Sequence, residues 1–420
     1  MTPLRICLDA RLTTGILGGV EQTIIGLAYG LSQLTDGDEE YLFLAHADSH
    51  AWLTPYLDGP CRIVLGPPGP QLSRWAKPLK PVLPLVRSLW HQVSPILGRW
   101  SIPLPRSDGT LERTGAILMH FAAPVAFLTN VPNLYQMFDL QHRHLPQLFT
   151  PRERSARELQ YRTFCNQAQV VSVMTAWGKR DLIQQYGLPP DKVIVVPGAP
   201  ALTAYPQPSE TDLAATRRKF SLPDRFLFYP AQTWAHKNHI GLLDALARLQ
   251  DEQHLTIPLV CCGTCNEFFP QIERRMRDLG LAGQVMFLGF VSPLELQCLY
   301  RLCRGLVFPT KFEGFGMPLL EALLAGVPAA CSNVTCLPEL AGDAALLFDP
   351  NQPDEMAQSV CRLWTDEPLR QTLIERGRRH VAHFSWERTA RTFRAHYRRL
   401  TNPPPTDEDQ ELLAASMEKL

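Results

Sequence analysis

The stretch Lys311-Phe-Glu313-Gly-Phe-Gly316-Met-Pro318-Leu-Leu-Glu321 sets two acids around two glycines and a proline, directly after an apolar run at 306–308. Glycine at 314 and 316 lets a backbone pass close to a ligand. Pro318 suits the first position of a helix. The free N–H groups of residues 315–319 then point into whatever crevice the strand opens on. A helix N-terminus at the carboxyl end of a parallel strand is a site for a diphosphate. Glu313 falls in the loop and Glu321 about one turn into the helix, so both can face one pocket. Carboxylates beside a phosphate site make chemical sense as acceptors for hydroxyl groups, such as those of sugars and ribose. A second cluster, Gln232-Thr-Trp-Ala-His236-Lys237-Asn238, follows another apolar run at 226–229. A lysine entering a helix start adds a point charge to an anion site.

These loops need a scaffold, and the hydrophobic pattern supplies one. A strand over 4–9, a turn-prone stretch over 13–19 and a helix over 20–34 form the opening of a doubly wound α/β domain. Further strands are predicted at 41–45, 62–65, 116–119, 134–138, 170–173 and 193–196. Pro197 to Pro208 reads as a linker. The pattern then restarts with strands at 226–229, 259–262, 285–288, 305–308 and 327–330, and helices at 239–249 and 318–325. The prediction is an α/β chain of two Rossmann-like domains, 1–200 and 201–384, facing across a cleft. A helix over 385–400 and a loose tail over 401–420 follow. Within 58–108 lies a proline-rich insertion with cations at Arg62, Arg74, Lys77, Lys80, Arg87, Arg99 and Arg106 and interleaved Trp75, Trp90 and Trp100. It reads either as a surface that touches anionic lipid or as a solvated insertion packing its own aromatics.

The 420 residues carry 41 Lys+Arg against 41 Asp+Glu, which leaves no basic surplus for a nucleic-acid partner. With 45% hydrophobic and 20% charged residues, the chain buries cores and is not disordered. The longest nearly uncharged run, 115–140, holds two Pro, two Asn and a His, which a lipid-facing helix tolerates poorly. The start reads as a strand rather than a secretory leader. Eleven cysteines, an odd number, favour reduced thiols in a cytosol. Cys262-Gly-Thr-Cys265 lacks the second pair a zinc site needs. Asp36-Gly37-Asp38 falls between a helix and a strand, at the wrong end for a ligand crevice, and reads as a turn, not a metal site.

The two loops, in their order, resemble the family 4 retaining glycosyltransferases of the GT-B fold. The resemblance rests on the pair Glu313 and Glu321 with seven residues between, Lys237-Asn238 upstream, and the flanks Leu288-Gly289-Phe290-Val291, Phe308-Pro309-Thr310, Leu324-Ala325-Gly326-Val327-Pro328 and Phe384-Ser385-Trp386-Glu387. It is dense in the C-terminal half and thin in the N-terminal half. It implies that Glu313 contacts hydroxyls of the donor sugar, Glu321 binds the nucleotide ribose, and Lys237 neutralises the diphosphate leaving group. Amides of Phe315, Gly316 and Met317 complete that cradle. Gly18-Gly19-Val20 matches the family's loop that closes on the diphosphate and acceptor. His120 matches its pocket histidine and is counted with Glu313 and Lys237 as catalytic. Gln232 stands on the donor side where the family often has an arginine, one cation fewer. Phe138-Asp139 stands where it often has His-Asp; Asp139 and His142 are the acceptor-side candidates. The helix after Ser385 is expected to cross back onto the N-terminal domain, which binds the acceptor.

The function so implied is transfer of a hexose, with GDP-mannose the favoured donor, from a nucleotide-sugar to a hydroxyl of a glycan or lipid-linked glycan in bacterial surface-polysaccharide synthesis. It implies a metal-independent enzyme without cofactor, cytoplasmic or peripheral on the inner face of the cytoplasmic membrane. Two other readings stand beside it: a GT-B nucleotide-sugar epimerase, and a non-catalytic nucleotide-sugar-binding scaffold, for which Gln232 and Phe138 speak.

Overall fold

The computed structural model describes residues 4–12, 18–69, 102 and 104–417. Most of the basic, aromatic stretch within 58–108 lies outside the described residues, as do residues 13–17 beside the glycine loop.

Two parallel sheets organise the chain. The first has seven strands: β1 (Leu4–Asp9), β2 (Glu39–His46), β3 (Cys61–Gly66), β4 (Leu118–Phe121), β5 (Asn133–Gln136), β6 (Val170–Val173) and β7 (Val193–Val195), in the order β3-β2-β1-β4-β5-β6-β7. The second has six: β8 (Leu227–Pro230), β9 (Leu259–Cys262), β10 (Val285–Phe287), β11 (Gly305–Phe308), β12 (Ala329–Ser332) and β13 (Ala345–Phe348), in the order β10-β9-β8-β11-β12-β13. Both orders reverse beside the first strand of the sheet, at β1/β4 and β8/β11. Loops leaving the carboxyl ends of the strands flank a crevice there. The strands read as near-continuous apolar runs because helices cover both faces, and β4, β5, β6, β9, β11 and β12 are buried along their whole length. This is the GT-B architecture.

The helix Trp386–Thr401 begins at a Ser385 cap and packs against the helix Gly19–Ser32 of the first domain. A Cβ on Gly26 would run into the Trp386 indole and one on Gly30 into the Trp386 carbonyl, so the two glycines admit the ring and the backbone of that residue. Trp386 Nε1 donates to the Pro200 carbonyl at 3.2 Å and Thr389 Oγ1 to that of Pro197 at 2.7 Å, so the segment read as a linker is stitched to this helix. Asp36 is a turn residue, as expected, and its carboxylate meets Arg394 at 2.5 Å and Arg391 at 3.0 Å. Those cations hold it well below the usual carboxylate range.

Three expectations need correction. The tail is not loose: Asp407–Met417 is a helix, opened by a reciprocal Thr406–Asp409 cap. Lys179 Nζ donates to the Met417 carbonyl at 2.6 Å, and His396 Nε2 meets Ser416 Oγ at 2.8 Å. The strand expected at 116–119 is Leu118–Phe121, because pairing with β1 starts only at Ile6↔Leu118. The strand expected at 327–330 is Ala329–Ser332: Val327 N–H still donates to the Ala322 carbonyl of the preceding helix, after Gly326 turns at φ 69°. Sequence patterning also missed β13.

Candidate functional site

The helix Met317–Leu324 starts at Gly316, whose φ of 90° lies in the left-handed region and where a Cβ would meet Leu337 Cδ2 at 2.6 Å. Glycine is required here on both counts. The loop before it is pinned from below. Glu313 N–H donates to Thr335 Oγ1 at 3.3 Å, and Cys336 Sγ donates to the carbonyls of Glu313 and Phe315 at 3.4 and 3.3 Å. The amides of Phe315, Gly316 and Met317 find no acceptor among the described residues. They are the orphan donors of a helix start and carry its positive end.

Lys237 arrives from the loop after β8, and its Nζ meets Glu313 Oε1 at 2.5 Å. The pair is mostly enclosed, at 18% and 12% side-chain exposure, so it is shielded from solvent more than a surface ion pair is. Tyr229 Oη donates to the Lys237 carbonyl at 2.6 Å and fixes the turn. The imidazoles beside it carry no competing charge. Burial first, then the Lys237 cation, pushes His236 and His239 down to about 3.

Glu321 is 5% exposed and takes a hydrogen bond from Tyr300 Oη at 2.8 Å. Burial pushes its carboxyl up to about 7, with the tyrosine hydroxyl pulling the other way. Near neutral pH this acid exchanges a proton, which suits a group that both accepts from and donates to hydroxyls.

The first domain meets these loops with its backbone. Gly18 caps the helix Gly19–Ser32 with φ 43°, and a Cβ there would lie 3.7 Å from Gln232 Nε2. A Cβ on Gly19 would meet no atom of the described residues within 4 Å. A Cβ on Gly314 would collide with the Phe138 carbonyl and stand 3.0 Å from Asp139 Cβ. Glu339 reaches across to accept the N–H groups of Ala176 and Trp177 at 2.8 and 3.0 Å. Glu313, Lys237, Gln232, Gly18, the open amides and Asp139 thus border one seam between the two domains.

Two expected site residues lie elsewhere. His120 sits inside β4, not after it, with no exposed surface. Its Nδ1 meets Tyr397 Oη at 2.7 Å, and its ring lies 4.7 Å from Phe393, both on the terminal helix. Burial pushes it down to about 3, so it is a neutral core residue under that helix and not a pocket acid or base. His142 also turns inward: Nε2 meets Glu158 Oε2 at 3.1 Å, and its ring packs on Tyr161 at 5.4 Å. Asp139 accepts the Gln141 N–H at 2.9 Å and keeps its place at the seam. Sequence reasoning missed His144 as an interdomain residue. Its ring stands 5.3 Å from Phe312 and 5.7 Å from Trp177, and Nε2 meets Asp181 Oδ1 at 2.8 Å. Glu339 was also missed; no local pattern announces a carboxylate that caps a helix of another domain. Among the described residues no group of three or more His, Cys, Asp or Glu is arranged to hold a metal ion.

Comparison with known proteins bears on the fold and on the C-terminal half of the chain. Residues 214–380 match the family model of glycosyl transferases group 1. The O-antigen chain mannosyltransferase B of Escherichia coli is 31% identical over 235 residues, which is 54% of this chain and 60% of that enzyme's length. The structure of Alr3699/HepE from Anabaena in complex with UDP and glucose superposes with a TM-score of 0.66 at 18% identity, covering 95% of this chain and 100% of that one. WaaG, a glycosyltransferase involved in lipopolysaccharide biosynthesis, gives 0.63 at 14% identity, covering 95% and 100%.

Proposed function

From a chain with the GT-B fold whose residues 214–380 match glycosyl transferases group 1, we propose a retaining hexosyltransferase. It takes a sugar from a nucleotide-sugar, GDP-mannose by preference, to a hydroxyl of a glycan or lipid-linked glycan. The observation that carries this is the Lys237–Glu313 pair set against the open amides of Phe315, Gly316 and Met317. That arrangement offers a cation and backbone donors to a diphosphate and a carboxylate to sugar hydroxyls, within one loop pair. The preference for mannose follows the likeness to an O-antigen mannosyltransferase.

In this reading the diphosphate lies over the helix start and Lys237. Glu321, with Tyr300 behind it, takes the ribose. The bond from the anomeric carbon to the diphosphate oxygen breaks, and the acceptor oxygen bonds to that carbon from the same face. The acceptor proton passes to the departing phosphate oxygen, so no protein base is needed and the configuration is retained. Lys237 and the amides stabilise the charge that builds on the leaving group. Closure of Gly314 on Phe138 and of Gly18 on Gln232 excludes water from the seam. No metal or cofactor enters this scheme. No helix among the described residues is long and apolar enough to cross a membrane; a cytoplasmic enzyme touching anionic lipid through 58–108 is part of the proposal.

The test is a panel of GDP-, UDP- and dTDP-sugars, first for thermal stabilisation and then for transfer of labelled sugar to glycan acceptors. Donor-dependent product of unchanged anomeric configuration is expected. Binding without transfer to any acceptor favours the scaffold; donor converted to its epimer without acceptor favours the epimerase.

A further inference from the structure

The loop that carries Lys237 also carries a neutral group, and its orientation is determined. Gln232 follows β8 directly, and its backbone has little freedom. Ala231 N–H donates to the Cys262 carbonyl at 2.9 Å on one side, and Thr233 N–H to the Thr264 carbonyl at 3.3 Å on the other. From beneath, Gly263 presses so close that a Cβ there would stand 2.8 Å from the Gln232 nitrogen. What remains free is the side-chain amide, and Trp234 fixes it: Nε1 donates to Gln232 Oε1 at 2.8 Å. An indole N–H only donates, so the carbonyl end of the amide must face the indole and the NH2 end must face away. The NH2 end points across the cleft, 3.7 Å from where a Cβ on Gly18 would lie. Trp234 itself is 41% exposed, more than a ring placed there for burial would be.

We propose that Trp234 is a positioning residue that holds the Gln232 amide with its NH2 group aimed into the seam between the domains, making Gln232 a neutral hydrogen-bond donor to the diphosphate. This rests on the reading of the seam as a diphosphate site. The chemistry fits the surroundings. Lys237 is paired with Glu313, and a donor without charge adds a hydrogen bond beside that pair without repelling Lys237 or competing for the carboxylate. The charge brought to the leaving group is then one cation plus oriented dipoles, rather than two cations.

The test is a double-mutant cycle on the full chain: Trp234→Phe, which keeps the ring and loses the N–H, Gln232→Ala, and the two together. Calorimetric titrations with GDP, UDP and dTDP identify the nucleotide that binds the wild type, and its nucleoside serves as control. Each single substitution is expected to weaken the diphosphate about 5-fold, the size of one neutral hydrogen bond. The nucleoside is expected to bind unchanged. The double variant should be no weaker than Gln232→Ala alone, since Trp234 acts through the amide. Equal losses for diphosphate and nucleoside, full additivity of the two substitutions, or wild-type affinity in Trp234→Phe each overturns the positioning role. Failure of the wild type to bind any of the three nucleotides overturns the diphosphate reading on which it rests.

Discussion

The two walls of the cleft are built on opposite principles. The C-terminal wall presents an ion pair, an oriented amide and a row of N–H groups that find no acceptor among the described residues, with the buried Glu321 carboxyl, raised by burial, held on Tyr300 in the same domain. The N-terminal wall presents glycines, while its polar side chains are engaged with one another. Arg11 grips Asp9 through two bonds of 2.9 Å, His142 meets Glu158, and His144 meets Asp181. The C-terminal wall therefore holds the charged groups, and shape and closure arise where backbone of the two walls meets, at Gly314 against Phe138 and at Gly18 against Gln232. Substitutions on the two sides should fail in different ways.

The largest effect belongs to the ion pair. Lys237→Ala and Glu313→Ala should each lower kcat/KM by about 1,000-fold, the upper end of the scale for removing a group that stabilises developing charge in a shielded site. Circular dichroism should stay close to wild type while the thermal midpoint falls modestly, because each substitution leaves the other charge of a mostly enclosed pair without its partner. Asp139→Ala, on the other wall, should cost far less. A loss at Asp139 as large as that at Lys237 would break the contrast.

Shape fails next. An added methyl at Gly314 collides with the Phe138 carbonyl of the facing domain. Gly314→Ala should lower transfer about 100-fold, since small misplacements of reacting groups are costly. Nucleotide affinity should hold, because the nucleotide contacts proposed above lie within the C-terminal domain. Calorimetry beside steady-state kinetics separates the two, and a nucleotide affinity that falls with turnover would mean that closure and binding depend on the same contact.

The same asymmetry decides what could be read from the sequence. The parallel sheets were legible because buried strands leave apolar runs. The loops proposed to hold the donor were legible because their parts are local: Glu313, Gly316 and Glu321 fall in nine residues. His120 misled because its surroundings are set by residues nearly 280 positions away: Tyr397 and Phe393 cover it. A two-residue error in the start of β4 had moved it from inside the strand to its end. Glu339 and Ala176 are 163 residues apart, and only the packed fold joins them. The tail helix did carry a local signal, Thr406 followed three residues later by Asp409, which the proline run at 403–405 obscured.

His120 tests the correction directly. His120→Ala should leave nucleotide affinity and kcat within about 2-fold while lowering stability by roughly 2–4 kcal/mol, as other large-to-small core substitutions do. Its pH dependence has a defined sign. The folded-state value of about 3 lies below the free value of 6.5. As pH falls from 6.5 toward 3, the unfolded chain takes up a proton that the folded chain refuses, so stability falls on acidification. His236, His239 and His396, also near 3, act in the same direction. Glu321, raised to about 7, acts oppositely: between 4.5 and 7 the folded state holds the extra proton, and stability falls as pH rises. Denaturant titrations at pH 5 and pH 7 should show a smaller pH difference for His120→Ala than for wild type. Loss of turnover in a folded His120→Ala would restore the histidine to the pocket.

The smallest effect should come from Glu339, where the two walls touch without a ligand. Its carboxylate accepts the N–H groups of Ala176 and Trp177, the first turn of the helix Ala176–Tyr186, whose Thr175 side chain already caps Gly178. Charge-assisted bonds at a helix start are favourable, but this carboxylate is exposed to solvent and salt, so their net worth is small. They exist only while the domains are closed. Glu339→Ala should therefore shift the open–closed balance: KM for the donor rises about 3-fold, kcat changes less, and the mean size in small-angle scattering with nucleotide bound increases. Each domain should unfold as before, because neither core is touched. Raised salt should reproduce part of the change in the wild type and add nothing in the variant. A Glu339→Ala protein with wild-type KM and an unchanged scattering profile would mean that the glycines and aromatic contacts close the seam unaided, and that the N-terminal wall needs no carboxylate from its partner to find its place.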